Sequence, residues 1–145
     1  MPHPFPHQYS LTVSWRGGRS GRVQAGPRPE ISGGPPPEFD GNEKDWSPEH
    51  LLLAAVNLCL MISFLSLARK SRLDVKKYEG RIDGTLDKTE EGLVFTSIGV
   101  HADLGVGRGA SAEGQKLMEK AKKYCIVSNA LRVPVNVESR VTESD

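Results

Sequence analysis

Cys59 and Cys125 are the residues best equipped for chemistry in this 145-residue sequence. A cysteine acts as a nucleophile through its thiolate, which forms where a cation lies close by. The upstream segment Trp15-Arg16-Gly17-Gly18-Arg19-Ser20-Gly21-Arg22 offers three such cations on one tight turn. Glu49 stands ten residues before Cys59 and could orient one of those arginines. Each of these residues also has a plainer use. Free cysteine is among the most buried residue types and often only packs. The arginines suit a solvated hairpin turn, and Glu49 suits the positive end of a helix. Spacing alone does not bring the two cysteines together.

Other chemistries find less support. Two cysteines are too few for a secreted disulfide framework, and alone they make no metal site. His3 and His7 lie in a Pro-broken start, His50 and His101 are isolated, and no CxxC spacing occurs, so no metal is expected. The run Gly105-Val106-Gly107-Arg108-Gly109 invites a phosphate-loop reading. It lacks the Lys-Ser/Thr of a P-loop and the GxGxxG spacing, so no nucleotide cofactor is expected. His101 has no Ser or Asp partner suggested nearby and reads as a surface residue.

The elements that must position these residues follow from periodicity. Residues 1–8 read as a loose arm. Tyr9, Leu11, Val13 and Trp15 alternate with Ser10, Thr12 and Ser14, which predicts a half-buried strand. Gly17-Gly18 marks a turn, and Arg22-Val23-Gln24-Ala25 returns as the second strand of a hairpin. Residues 26–46 are rich in Pro and Gly and read either as a flexible linker or as a loop folded over the domain. The folded loop is favoured, with a piece of strand near Glu30-Ile31. Ser47 can cap a helix, with Pro48 at its first position and Glu49 in its first turn. The run Leu51 to Ala68 is apolar almost all round, and Arg69, Lys70 and Arg72 then suit the negative end of the helix. Its length is close to the shortest membrane span, but Asn57, Cys59, Ser63 and Ser66 interrupt it, so a fully buried central helix is expected.

Two strands follow, with Tyr78, Ile82 and Leu86 on one face of the first. Val94, Ile98, Val100 and Ala102 share a face of the second, and Asp87 to Gly92 supplies the turn. A Gly-rich loop, Leu104 to Ala110, leads to a second helix capped near Ser111. Leu117, Ala121, Tyr124, Cys125 and Ser128 lie on one face of that helix. A last strand runs from Val133 to Val141, with Pro134 near its start as an edge position allows. Strands, helix, strands, helix, strand is no regular βαβ repeat, and an α+β fold with mainly antiparallel sheets and two long helices is expected.

Length suits a single domain over residues 1–145. Hydrophobic residues make up 37% and charged residues 26%, ordinary values for a globular chain. A formal net charge of +1 gives no electrostatic case for nucleic acid or an anionic membrane surface. The opening MPHPFPHQYS has no basic start and no apolar run, so a cytoplasmic location is expected.

The stretch from Ser47 to Ala55, with Cys59 ten residues after Glu49, resembles the signature of the OsmC/Ohr family. The segment from Ala121 to Ala130, around Cys125, is similar to that family's second cysteine motif. The turn Gly17 to Arg22 resembles the arginine-bearing turn of its organic hydroperoxide resistance branch. The resemblance implies an intertwined α+β homodimer with active sites between subunits. It implies Cys59 as the peroxide-attacking thiolate, Cys125 as the resolving thiol, Arg19 as the thiolate's cation and Glu49 as the partner of Arg19. The implied activity is a thiol peroxidase working through a sulfenic acid and a Cys59–Cys125 disulfide, which an external dithiol, often lipoyl-type, then reduces. Ten helical residues span about 15 Å, so Glu49 cannot sit beside Cys59 of its own straight helix, which favours a second chain. Apolar walls from Leu52, Val56 and Phe64 would favour organic hydroperoxides over hydrogen peroxide.

Ile126 stands where the family usually has Pro, and Asp45-Trp46 replaces the usual pair before Pro-Glu. Glu38 stands where one branch carries an arginine, which favours Arg19 as the cation, with Arg16 and Arg22 as alternatives. The branch and the preferred peroxide stay open. A non-catalytic stress or ligand-binding dimer and a thiol redox sensor are the competing readings.

Overall fold

The computed structural model describes residues 3–145. The chain divides into two compact units, the first within Met1–Leu51 and the second over Leu52–Asp145. Of the arm expected over residues 1–8, residues 3–8 are exposed and carry no helix or strand, while Met1 and Pro2 lie outside the described residues.

The first unit is an antiparallel sheet of β1 (Thr12–Trp15), β2 (Gly21–Gln24) and β3 (Ile31–Gly33), in that order. The expected hairpin is present, with Val13 opposite Val23 and Trp15 opposite Gly21. Gly17 and Gly18 turn it at φ 104° and 54°, which side chains with a Cβ rarely adopt. The Pro-rich stretch is a folded loop. It holds β3, a 3-10 turn at Pro37–Phe39, and a bridge from Trp46 back to Gly33. Trp46 N–H donates to the Ser32 carbonyl (2.9 Å) and Gly34 N–H to the Trp46 carbonyl (3.0 Å). Gly41 is required there, because a Cβ would overlap the Pro35 carbonyl.

One expectation fails in this unit. The stripe Tyr9, Leu11, Val13 and Trp15 is exposed rather than half-buried, Trp15 by 78%. Alternation shows that side chains share a face, not that anything in the same chain covers it.

Helix α1 (Pro48–Lys70) begins where the capping signals place it. The buried Ser47 Oγ accepts from His50 N–H (3.0 Å) and contacts His50 Nδ1 (2.6 Å). Arg72, at φ 57°, ends the helix, and Leu73 N–H returns to the Ala68 carbonyl (2.9 Å).

The second unit pairs β4 (Val75–Thr89) antiparallel with β5 (Gly92–Gly107), and β5 parallel with β6 (Val135–Ser144). A parallel neighbour needs a crossover, and α2 (Ser111–Tyr124) and α3 (Ile126–Asn129) supply it. Val100, Ala102 and Leu104 of β5 meet Val56, Leu60, Phe64 and Ala68 of α1 and Leu117, Met118 and Ala121 of α2 in one core. Gly80 and Gly84 of β4 open room for α1. A Cβ on Gly80 would stand 2.6 Å from Asn57 Oδ1, and one on Gly84 2.9 Å from Leu53 Cδ2. On β5's other face His101 is a surface residue as expected, and its Nδ1 lies 3.3 Å from Glu138.

Several boundaries differ from expectation. Only Val56, Leu60, Phe64 and Ala68 of α1 are buried, at a spacing of four. Leu58 and Ile62 remain 54% and 52% exposed, because the core meets one stripe of a helix that is apolar all round. β5 runs on to Gly107, since Leu104 and Val106 continue its buried alternation, and the loop shrinks to Arg108–Ala110. Strand pairing reaches Thr89 and Gly92, leaving Glu90-Glu91 as the turn. The cap of α2 lies near Ser111 as expected, at Ala110, and the Ser111 N–H donates to the Glu143 carboxylate of β6 (3.1 Å). β6 begins at Val135, just past Pro134, which has no N–H to give.

Candidate active site

The first unit holds an apolar cavity of about 760 Å³. Val13, Trp15, Val23, Phe39, Trp46 and Leu51 give it apolar walls, and Arg19 and Glu49 give it its only charged ones among the described residues. Arg19 Nη2 donates to the Phe39 carbonyl (2.7 Å) and to the Asp40 carbonyl (3.3 Å). Arg16 and Arg22 are engaged elsewhere, 3.9 Å and 3.0 Å from the Glu30 carboxylate. Of the three turn arginines, Arg19 is the one in the cavity wall.

Glu49 Oε1 is buried without a hydrogen-bond partner among the described residues. No ion pair joins it to Arg19 among those residues. A carboxylate oxygen held from water without a donor is costly, so this arrangement is set to receive one. Asp45, at the unusual Asp45-Trp46 pair, accepts from Asn42 Nδ2 (3.1 Å) and Ser20 Oγ (3.4 Å), pinning the loop to the arginine turn. The apolar walls are not those expected. Val56 and Phe64 are fully buried in the second unit's core, and the cavity uses side chains of the hairpin and the Pro-rich loop instead.

The second unit holds both cysteines, and both are free. Cys125 is buried in the core at 1% exposure, and Cys59 is half-buried against the same cluster. Cys125 does not continue α2, as its helical spacing suggested. Its backbone (φ −69°, ψ 104°) breaks the helix before α3. The break forms with Ile126 where a proline was the usual signal. Asn129 Nδ2 caps the Lys123 carbonyl (3.0 Å), and Asn129 N–H takes the Cys125 carbonyl (3.0 Å). Tyr124, expected on the buried face, is the last residue of α2 and is exposed.

Two neighbours of Cys125 escaped notice as site residues. Ser128 Oγ donates to Cys125 Sγ (3.0 Å); the three-residue spacing is the one sequence signal for it. Tyr78, read only as a strand residue, packs its ring against Phe64 (5.8 Å between centroids). Burial pushes the Tyr78 phenol from 10.0 up to about 12, and Cys125 adds to the rise. Its hydroxyl is buried without a partner among the described residues. No cluster of His, Cys, Asp and Glu suited to a metal occurs among the described residues.

Comparison with known proteins decides the family. The family model for OsmC-like protein matches residues 41–140. The chain belongs to the OsmC-like family. This OsmC-like protein is 24% identical over 138 residues to the uncharacterized protein YmaD of Bacillus subtilis (strain 168), covering 91% of each chain. Its fold is similar to an OsmC-like protein of unknown function from Vibrio cholerae O1 biovar eltor str. N16961. The TM-score is 0.85 at 21% identity, covering 93% of this chain and 100% of the other. It is also similar to an organic hydroperoxide resistance protein OsmC from Legionella pneumophila. There the TM-score is 0.70 at 24% identity, covering 94% and 99%. The OsmC-like fold is therefore as expected, and the family includes proteins of peroxide resistance.

Proposed function

We propose that this OsmC-like protein is a cysteine-based thiol peroxidase that reduces organic hydroperoxides. The observation that carries the reading is that both free cysteines belong to one core, Cys125 buried within it and the half-buried Cys59 packed against it. The Cys59 thiolate attacks the peroxide O–O bond, forming a sulfenic acid and releasing an alcohol. Cys125 condenses with that sulfenic acid, releasing water and forming the disulfide. An external dithiol, of lipoyl type or similar, restores both thiols by exchange. Arg19 serves as the cation beside the Cys59 thiolate, and Glu49 receives Arg19 when it leaves the Phe39 and Asp40 carbonyls. The apolar cavity suits a hydrophobic peroxide over hydrogen peroxide.

The working form is a homodimer in the cytoplasm. Two faces support the dimer: the stripe through Leu11, Val13 and Trp15, and the stripe Leu58, Ile62 and Leu65 on α1, all exposed in the single chain. α1 is long and apolar enough to cross a membrane, but its buried stripe packs into the core, so it serves as a core and interface helix.

The test mixes pure protein with cumene hydroperoxide and a dithiol, comparing wild type with Cys59→Ser and Cys125→Ser. Loss of turnover in Cys59→Ser is the expected result. Peroxide consumption that survives Cys59→Ser would refute the assignment. A non-catalytic ligand-binding dimer is the second reading, favoured by the near-complete burial of Cys125. It predicts no consumption by wild type with any dithiol, whereas oxidation without turnover would mark a sensor.

A further inference from the structure

A second cavity, of about 290 Å³, lies in the second unit where α2 gives way to α3. Cys125 and Ser128 form part of its wall, together with Leu60, Val137, Lys122 and Arg132. Two cations and no carboxylate line it among the described residues. Lys122 Nζ is 2.8 Å from Glu119, and Arg132 Nη2 is 3.7 Å from Glu91. Exposed pairs of this kind are weak and yield readily to a competing anion. No residue lines both this cavity and the apolar one that Arg19 and Glu49 line.

We propose that this cavity admits the reducing dithiol, and that it selects a dithiol carrying an acidic group. The proposal rests on the peroxidase reading. One thiol of the reductant loses its proton to solvent, and its thiolate attacks Cys125 Sγ in the Cys59–Cys125 disulfide. The S–S bond breaks and Cys59 leaves as the thiolate needed for the next peroxide. The second thiol then attacks its own sulfur in the mixed disulfide, forming a cyclic disulfide and expelling Cys125. Two electrons have passed from the dithiol to the protein. Ser128 Oγ–H, already 3.0 Å from Cys125 Sγ, stabilises that sulfur as it departs, and a solvent proton completes the thiol. Lys122 and Arg132 hold the acidic group and raise its local concentration.

Two probes that differ by one group test this: dihydrolipoate, which is acidic, and dihydrolipoamide, which is neutral. The protein disulfide is prepared twice, once with cumene hydroperoxide and once with diamide, and its reduction is followed by stopped flow. Wild type should react with dihydrolipoate about tenfold faster than a Lys122→Glu/Arg132→Glu variant, while dihydrolipoamide shows less than about a twofold difference. The wild-type preference should also shrink as salt rises. Equal reduction of both probes by wild type, or a variant that slows both alike, overturns the proposal. A disulfide that forms with diamide but not with peroxide refutes the peroxidase reading and still lets the cavity be judged on the same rates. Failure to form the disulfide by either route overturns both.

Discussion

Replacing Tyr78 by phenylalanine should stabilise the protein. The ring stays in place against Phe64, so packing is kept, and only a buried hydroxyl without a partner is removed. A hydroxyl held from water without a hydrogen bond costs roughly 1–3 kcal/mol, and Tyr78→Phe recovers that. Urea unfolding at pH 7.5, at fixed protein concentration with the thiols reduced, measures it. Alkaline pH adds a second signature. Between pH 10 and about 12 the folded protein keeps the Tyr78 proton while the unfolded chain gives its own up. The folded state then binds more protons, so wild-type stability falls as pH rises through this window. Tyr78→Phe has no such proton, and its advantage should widen from pH 10 upward and be constant below it. Other titrating groups are common to both proteins and cancel in the difference. A variant less stable than wild type by about 1 kcal/mol or more at pH 7.5 would refute the reasoning, because the hydroxyl would then be making a bond worth keeping.

Ser47→Ala removes the cap of α1 and should cost about 1–2 kcal/mol in the same urea assay, with Ser47→Asp retaining most of it. Leu58→Glu with Ile62→Glu places charge on the uncovered stripe of α1 and should convert the proposed dimer to monomer by light scattering, with helix content by circular dichroism unchanged. A dimer that persists would move the interface elsewhere.

The sequence was informative wherever a local rule operates. Ser47, Pro48 and Glu49 placed the start of α1 to the residue, and Gly17-Gly18 placed the hairpin, because caps and turns are decided by a few adjacent atoms. It was least informative where covering matters. Alternation put Trp15 on a shared face and the apolar run of α1 suggested full burial, yet Trp15 and Ile62 are exposed, since burial depends on what else is present. The site was legible in part for the same reason. Arg19 was already favoured over Arg16 and Arg22 by resemblance, but the physical reason, Glu30 beside the other two, needed the fold. Cys125 was readable as a candidate, yet the helix break that places it depends on Asn129 reaching back to Lys123. Tyr78 carries no local mark at all, since the strand that bears it approaches Cys125 only through the tertiary fold.

The contact between Glu143 and the first amide of α2 links two distant parts of the chain. A helix start has amides with no partner inside the helix, and here one is satisfied by a strand that follows the same helix in the chain. Solvent and neighbouring charge changes reach both together: hydrogen bonds from Ser111 first, then from Gly109, with the Arg108 charge adding least, hold the Glu143 carboxyl below its usual range. The consequence is cooperative. β6 and the opening turn of α2 form a closed clasp, so fraying at one loosens the other. Hydrogen exchange should find their amides opening as a single unit, with Cys125 at the far end of the helix that the clasp secures.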